Sequence, residues 1–208
     1  LAREVTASAP RDYDVTAALR QLQLEHPTCY IFGCWHDDSV FIGATPERLA
    51  RADGLNVQAS SLAGSVSRGS SPAEDAVNSA RLLASAKDRA EHEIVRRALC
   101  TGLERLCDDV TADDGPSLLS LPNVHHLHTP ISANLPESVH ILDLVGRLHP
   151  TPAVGGAPQA PALAAIARLE TFPRGLYAGP QGWVDHRGGG EFFVGLRSAL
   201  IDGRTATA

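Results

Sequence analysis

Apolar positions at Val15, Ala18, Leu19 and Leu22 recur at helical spacing and predict a helix over 14–26. After it the period shortens to two. "CYIFGCW", "SVFIGATP" beyond the polar turn His36-Asp37-Asp38, and "LNVQASSLAGS" beyond Asp53-Gly54 read as strands of an antiparallel meander. From about Ser71 to Cys107 the pattern returns to helix as one long region, opened by "SSPAED", where a Ser cap precedes Pro and acids in the first turn. "DDVTADDGPSLLSLP" reads as a loop.

A strand is expected at 123–129, a helix from about Ser138 to Leu148, and another over 159–169. "LYAGPQGWVD" and "EFFVGLRSAL" then form a strand pair across the Gly-rich turn "HRGGG", and Asp202-Gly203 signals a hairpin whose returning strand is absent or short. Strands and helices fall in blocks without strict alternation. That predicts an α+β fold with antiparallel sheets, not a doubly wound parallel one. No internal repeat or linker divides the 208 residues.

Composition narrows the function classes. With 43% hydrophobic residues the chain has a real core to bury, and a net charge of −6 without a Lys/Arg-rich block speaks against nucleic acid. No apolar run is long enough to span a bilayer and no signal-peptide pattern opens the chain, so a cytoplasmic protein without a membrane partner is expected. The expected partner is a small-molecule ligand or a protein, and a monomer is expected. Cys29, Cys34, Cys100 and Cys107 show no C-x-x-C spacing and are expected as free thiols. "HHLH" at 125–128 lacks the i, i+4 spacing of helical zinc ligands and is read as a structural strand segment. A chain that begins with Leu1 and holds no Met is expected to be part of something longer.

Candidate chemistry sits at four places. On one uninterrupted helix, Glu91 shares the small apolar face of Ala80, Ala84, Val95, Ala98 and Gly102, with Asp88 on the same side. Two inward carboxylates call for a cation, either Mg²⁺ or an arginine in an internal salt bridge. In "EFFVGLRSA", alternation sets Glu191, Phe193, Gly195 and Arg197 on one face. Arg197 is there a bidentate carboxylate grip or an ordinary exposed arginine. Glu47 ends an apolar strand in "ATPERL", as a general acid if burial raises its pKa, or as a solvated turn residue. "SLAGSVSRG" offers a Gly-Ser turn with backbone N–H groups for an anion. "LHPTPAVGG" at 148–156 is a stiff non-helical segment followed by glycines that allow close approach, or a plain turn.

In order, "ATPERL", "LAGSVSRG", "KDRAEHEIV", "VHHLHTPI", "LHPTPAVGGAP", "YAGPQGW" and "GEFFVGLRSA" resemble the chorismate-utilising enzymes (anthranilate synthase component I-like), most closely the isochorismate synthases. The likeness covers almost the whole chain. "LHPTPAVGG" is the isochorismate synthase form of its segment, and "GAPQ" in place of "GAPK" supports water over ammonia as nucleophile. The resemblance implies that 1–208 is part of a chorismate-binding catalytic domain with Mg²⁺ as cofactor and chorismate as substrate. The reaction would add water at C2 and expel the C4 hydroxyl. By motif match it implies Glu47 as general acid and Glu91 with Asp88 as metal ligands. Arg197 becomes the carboxylate clamp, and Gly64, Ser65, His149, Tyr177 and Gly182 become substrate contacts.

The resemblance also implies residues outside the chain: a lysine base before "LAREVT" and a second metal carboxylate in a final helix. Inactivity of the chain alone is therefore expected. Alternatives are another chorismate enzyme, such as a salicylate synthase, or a non-catalytic remnant. Siderophore, menaquinone and salicylate synthesis are the pathways open to the product.

Overall fold

The computed structural model describes residues 1–136 and 139–208. A short strand β1 (Thr6–Ser8) leads to helix α1 (Val15–Glu25), whose first turn is capped by Asp14 Oδ1 accepting the Ala17 N–H at 2.9 Å. Its Val15, Ala18, Leu19 and Leu22 pack against Val40 and Ile42, so the helical period read from the sequence is the packing face. β2 (Tyr30–His36) and β3 (Ser39–Thr45) form the expected hairpin.

The predicted meander stops there. The next strand, β4 (Arg48–Asp53), was not separated out by the sequence pattern and belongs to a different sheet, where it pairs with β5 (Asn56–Ser67). Proline at 46, which cannot donate to a ladder, marks where the chain leaves the first sheet. "SLAGS" is not a turn: it is a bulge within β5, where the pairing skips Ala63 and Gly64.

The long helical region is in fact two helices, α2 (Pro72–Ala84) and α3 (Ala86–Leu103). Ser85 ends the first and caps the second, its Oγ accepting the Asp88 N–H at 3.2 Å. Ser competes with helical backbone through such side-chain bonds, which is why the break falls on it. The buried stripe of α3 is His92, Val95, Leu99, Gly102 and Leu103. Glu91 lies beside that stripe and is exposed, contrary to the inward position expected for it.

The expected loop at 108–122 holds two strands, β6 (Asp108–Ala112) and β7 (Ser117–Ser120), both paired with β8 (Val124–Asn134). Their polar sequences hide them because one face is open to water. Next come α4 (Ile141–Leu148), a single turn α5 (Pro152–Gly155), and α6 (Gln159–Leu169). The proposed start of α4 at Ser138 lies outside the described residues. Pro152 opens α5 because a first-turn proline loses no helical bond, so the segment 148–156 is partly helical.

β9 (Pro180–Val184) and β10 (Gly190–Val194) pair as expected. "EFFVGLRSAL" is not one strand, however. β10 ends at Val194 and β11 (Ser198–Asp202) continues in the other sheet, followed after the Asp202-Gly203 turn by the short β12 (Thr205–Thr207). Both Phe193 and Val194 are buried, because β10 lies between two packed layers and neither face alternates to solvent.

The result is a five-stranded antiparallel sheet, β1-β12-β11-β3-β2, and a seven-stranded one, β6-β8-β5-β4-β10-β9 with β7 beside β8. The architecture is α+β, as the block pattern predicted. The main core joins β4, β5, β8 and β10 to α3 and α4 through Leu49, Val57, Leu103, Ile131, Leu144 and Val194. Among the described residues no helix is long and apolar enough to cross a membrane.

Candidate active site

Two chain crossings between the sheets create the site. Outbound, residues 46–47 connect β3 to β4. Inbound, residues 195–197 connect β10 to β11. They run side by side, since the Val194 N–H donates to the Glu47 carbonyl at 2.9 Å and the Ala44 N–H donates to the Arg197 carbonyl at 3.2 Å. Arg197 turns through a positive φ of 51°, uncommon for a side-chain-bearing residue. A cleft of about 610 Å³ opens beside the crossings, lined by Glu47, Gly64, Ser65, Glu91, Tyr177 and Arg197, together with His126, Arg174 and Val154. Sequence reasoning named the first six.

Glu47 is only 5% exposed. Burial pushes its carboxyl up to about 7, while the neighbouring Thr151 hydroxyl opposes the shift without a well-aligned hydrogen bond. A protonated carboxylic acid facing a cleft near neutral pH is a proton donor. The solvated-turn alternative is excluded by the burial.

Two guanidinium groups line the cleft, and their environments differ. Arg174 Nε and Nη2 donate to Glu170 at 2.7 and 2.6 Å, and Nη1 donates to the Val154 carbonyl at 2.9 Å. Arg174 holds the Glu170 carboxyl down at about 2, so this charge is internally balanced. Arg197 has no carboxylate partner among the described residues. Its Nη2 donates to His126 Nε2 at 2.6 Å, leaving further donors for an incoming anion.

His126 is a site residue that the sequence reading set aside as structural. Because arginine only donates, Nε2 must accept, and the proton sits on Nδ1, 2.9 Å from Ser65 Oγ. Burial, then the Arg197 charge, lower its pKa to about 4 and keep the ring neutral. The Ser65 hydroxyl accepts from Nδ1, so its own proton is available to the cleft. The Leu62–Ser65 register shift gave no periodic signal, and only a strand pairing places His126 opposite Ser65. Its neighbour His125 is structural as read: it is buried, with Nε2 3.0 Å from Asp75 and Nδ1 2.8 Å from Ser120.

At the rim, the exposed Glu91 has Lys87 Nζ at 3.6 Å as an ion-pair partner. Asp88 is half-buried under the Gly64 bulge and accepts from Ser85 Oγ at 2.5 Å. The internal-salt-bridge reading with an arginine does not hold for Glu91. Among the described residues no three His, Cys, Asp or Glu side chains converge on a point that could hold a metal unaided. Glu91 at the cleft lining, with Asp88 one turn earlier on the same helix and outside the lining, still suits Mg²⁺, which keeps waters and takes further oxygens from a bound ligand.

Three of the expected site residues, Asp88, His149 and Gly182, are not among the groups that line the cleft. His149 ends α4 with a half-buried ring that is not among the lining groups, and burial lowers its pKa. Gly182 sits opposite Phe192 in the β9–β10 pair, away from the lining.

A buried acid, an arginine with no carboxylate partner among the described residues and an exposed rim carboxylate around one cleft agree with the motif order, and the sequence profile of chorismate binding enzymes matches residues 1–208. The chain belongs to the chorismate-binding enzyme family. Within this family it is 41% identical over 206 residues to isochorismate synthase MenF of Bacillus subtilis, covering 99% of the chain and 44% of that protein. It is 43% identical over 190 residues to the salicylate biosynthesis isochorismate synthase of Pseudomonas aeruginosa, covering 91% and 40%. The structure of the menaquinone-specific isochorismate synthase from Escherichia coli superimposes with a TM-score of 0.90 at 28% identity, over 98% of this chain and 47% of that one. The chain thus spans about half the length of these relatives. Anthranilate synthase component I from Streptococcus pneumoniae, at 23% identity and a TM-score of 0.84, shares the fold.

Proposed function

We propose that this chain forms the acid side of an isochorismate synthase, converting chorismate to isochorismate with Mg²⁺. Water adds at ring carbon C2, the C4 hydroxyl leaves, and the ring double bonds shift between them. Glu47 donates its proton to the departing C4 oxygen, which leaves as water. Its carboxyl is protonated near neutral pH and recharges from solvent. Arg197 grips a substrate carboxylate with the donors that His126 leaves free. Ser65 donates its hydroxyl hydrogen, the Gly64 bulge brings backbone close, and Tyr177 closes a wall.

Glu91, with Asp88 in support, would hold Mg²⁺, which when bound neutralises substrate carboxylate charge at the cleft mouth. The attacking water gives up one proton as it bonds to C2, and that proton goes to a base that no residue of this cleft is assigned to be. The observation that carries the reading is Glu47: a carboxyl buried and raised to about 7 in a cleft shared with an unbalanced arginine. The names of the relatives support isochorismate as product; one relative is named for salicylate biosynthesis and one as menaquinone-specific.

The test is incubation of a full-length protein that carries this chain, together with the lysine and second metal carboxylate that the resemblance implies, with chorismate and Mg²⁺, followed by chromatographic separation of products. Isochorismate alone is expected. Salicylate with pyruvate would assign a salicylate synthase instead, and chorismate binding without turnover would mark a non-catalytic member.

A further inference from the structure

His92 is 1% exposed and does not line the cleft, yet it touches β5 and β8, the strands that carry Ser65 and His126. From α3, its Nδ1 lies 3.2 Å from the Ala63 carbonyl of β5, and its Nε2 lies 2.8 Å from Thr129 Oγ1 of β8. A carbonyl only accepts, so Nδ1 carries the proton. In the neutral ring Nε2 then accepts, and the buried Thr129 hydroxyl is its donor.

The bulge gives this geometry its meaning. Across the β5–β8 pair, Leu62 faces His128 and Ser65 faces His126, so Ala63 and Gly64 fall outside the ladder. Gly64 takes a positive φ of 82°, and Ser65 is carried to His126. A carbonyl freed by a bulge and left without a donor would favour another register. His92 supplies that donor from the helix that also carries Glu91.

We propose that His92 is a positioning residue: by holding the Ala63 carbonyl it fixes the bulge that sets Gly64 and Ser65 against Arg197 on one side and α3 with Glu91 on the other. The functional consequence rests on the cleft being the chorismate site. The hold on the bulge does not.

Three variants separate the two. His92→Phe keeps ring volume and removes both bonds. His92→Gln keeps a donor for Ala63 and an acceptor for Thr129. Thr129→Val removes only the hydroxyl. Chorismate affinity is read by calorimetry with Mg²⁺, and amide hydrogen exchange is read at Gly64 and Ser65. His92→Phe is expected to weaken binding and speed exchange at both amides by at least about tenfold, the scale of one lost buried hydrogen bond. His92→Gln should restore most of both, and Thr129→Val should leave the Ser65 amide near wild type.

Wild-type affinity and exchange in His92→Phe would overturn the inference. So would equal loss in all three variants in proportion to melting temperature, which is the signature of a merely structural residue. Should His92→Phe fail to fold, imidazole ¹⁵N shifts of the wild-type chain decide: a proton on Nε2 in place of Nδ1 refutes the assignment. A wild-type chain that binds no chorismate sinks the site reading alone, because the exchange data still judge the bulge.

Discussion

Glu47 and Arg197 occupy neighbouring crossings between the two sheets, joined where the Glu47 carbonyl takes the Val194 N–H and the Arg197 carbonyl takes the Ala44 N–H. Neither residue lies within a regular strand, and each is fixed by strands on both sides. Backbone at a crossing escapes the alternation that would aim a side chain into the core or to solvent. The cleft therefore receives a buried acid and an exposed guanidinium from two rigid pieces of chain, which is the positioning that acid catalysis on an anionic substrate requires.

Replacing Glu47 by Gln keeps shape and removes the proton. In the active protein the turnover number should fall by at least about 10²-fold with little change in chorismate affinity. Wild-type turnover would take Glu47 out of the chemistry.

The same residue makes a stability prediction that needs no substrate. Its folded pKa, about 7, is raised above the ordinary value of 4.5, so between these values the folded chain binds more protons than the unfolded one. Glu47's contribution is fully present below pH 4.5 and is lost as pH rises through 7, by up to about 3 kcal/mol. Urea melts from pH 4.5 to 8 should show this decline in the wild type and a shallower one in Glu47→Gln. Parallel curves would mean that the carboxyl titrates normally.

If Arg197 grips a substrate carboxylate as proposed, Arg197→Gln should raise the chorismate Kd by at least about tenfold, because that contact is lost. It should also release part of the constraint on His126. Burial lowers the His126 pKa first and the Arg197 charge second, so its pKa, about 4 in the wild type, should move upward but stay below 6.5. NMR titration of the imidazole C–H resonances reads this directly, and an unmoved pKa would contradict the 2.6 Å contact.

The block pattern of strands and helices gave the fold class, and motif order gave six residues of the cleft. What escaped had physical causes. Ser85 looks helical in a hydrophobic pattern, yet its hydroxyl can cap and so divides α2 from α3; the inward expectation for Glu91 rests partly on Ala98, which is exposed, whereas the buried stripe of α3 runs through His92, Val95 and Leu99. His126 and His92 could not be ranked from spacing, because the first has its partner 61 residues away across a strand pair and the second 37 residues away, from helix to strand. His149 and Gly182 were drawn toward the site by motif alone, whereas local geometry sends each elsewhere.

Gly64→Ala tests the bulge from the backbone side. At φ +82° a Cβ is unfavourable, and it would sit 3.2 Å from Asp88 Cβ and from Leu127 Cδ1. A loss of at least about 1 kcal/mol is expected, with weakened chorismate binding. Unchanged chemical denaturation would show that the bulge adapts freely.

Glu91→Gln separates metal binding from structure most cleanly, because the exposed carboxylate has so little to lose in the fold. Its ion-pair partner, Lys87, is 81% exposed and 3.6 Å away, a contact worth little in water. Apo stability should change by no more than about 0.5 kcal/mol. A buried carboxylate would instead have produced a gain on neutralisation, and one half of a buried pair a loss of about 3 kcal/mol. If Glu91 holds Mg²⁺ beside the bound substrate, the added melting-temperature rise from Mg²⁺ in the presence of chorismate should vanish in the variant, since stabilisation by linkage disappears with the site. Melting both proteins with and without Mg²⁺ plus chorismate gives the answer: an intact Mg²⁺ increment in Glu91→Gln would remove Glu91 from the metal site and leave it as a solvated rim residue.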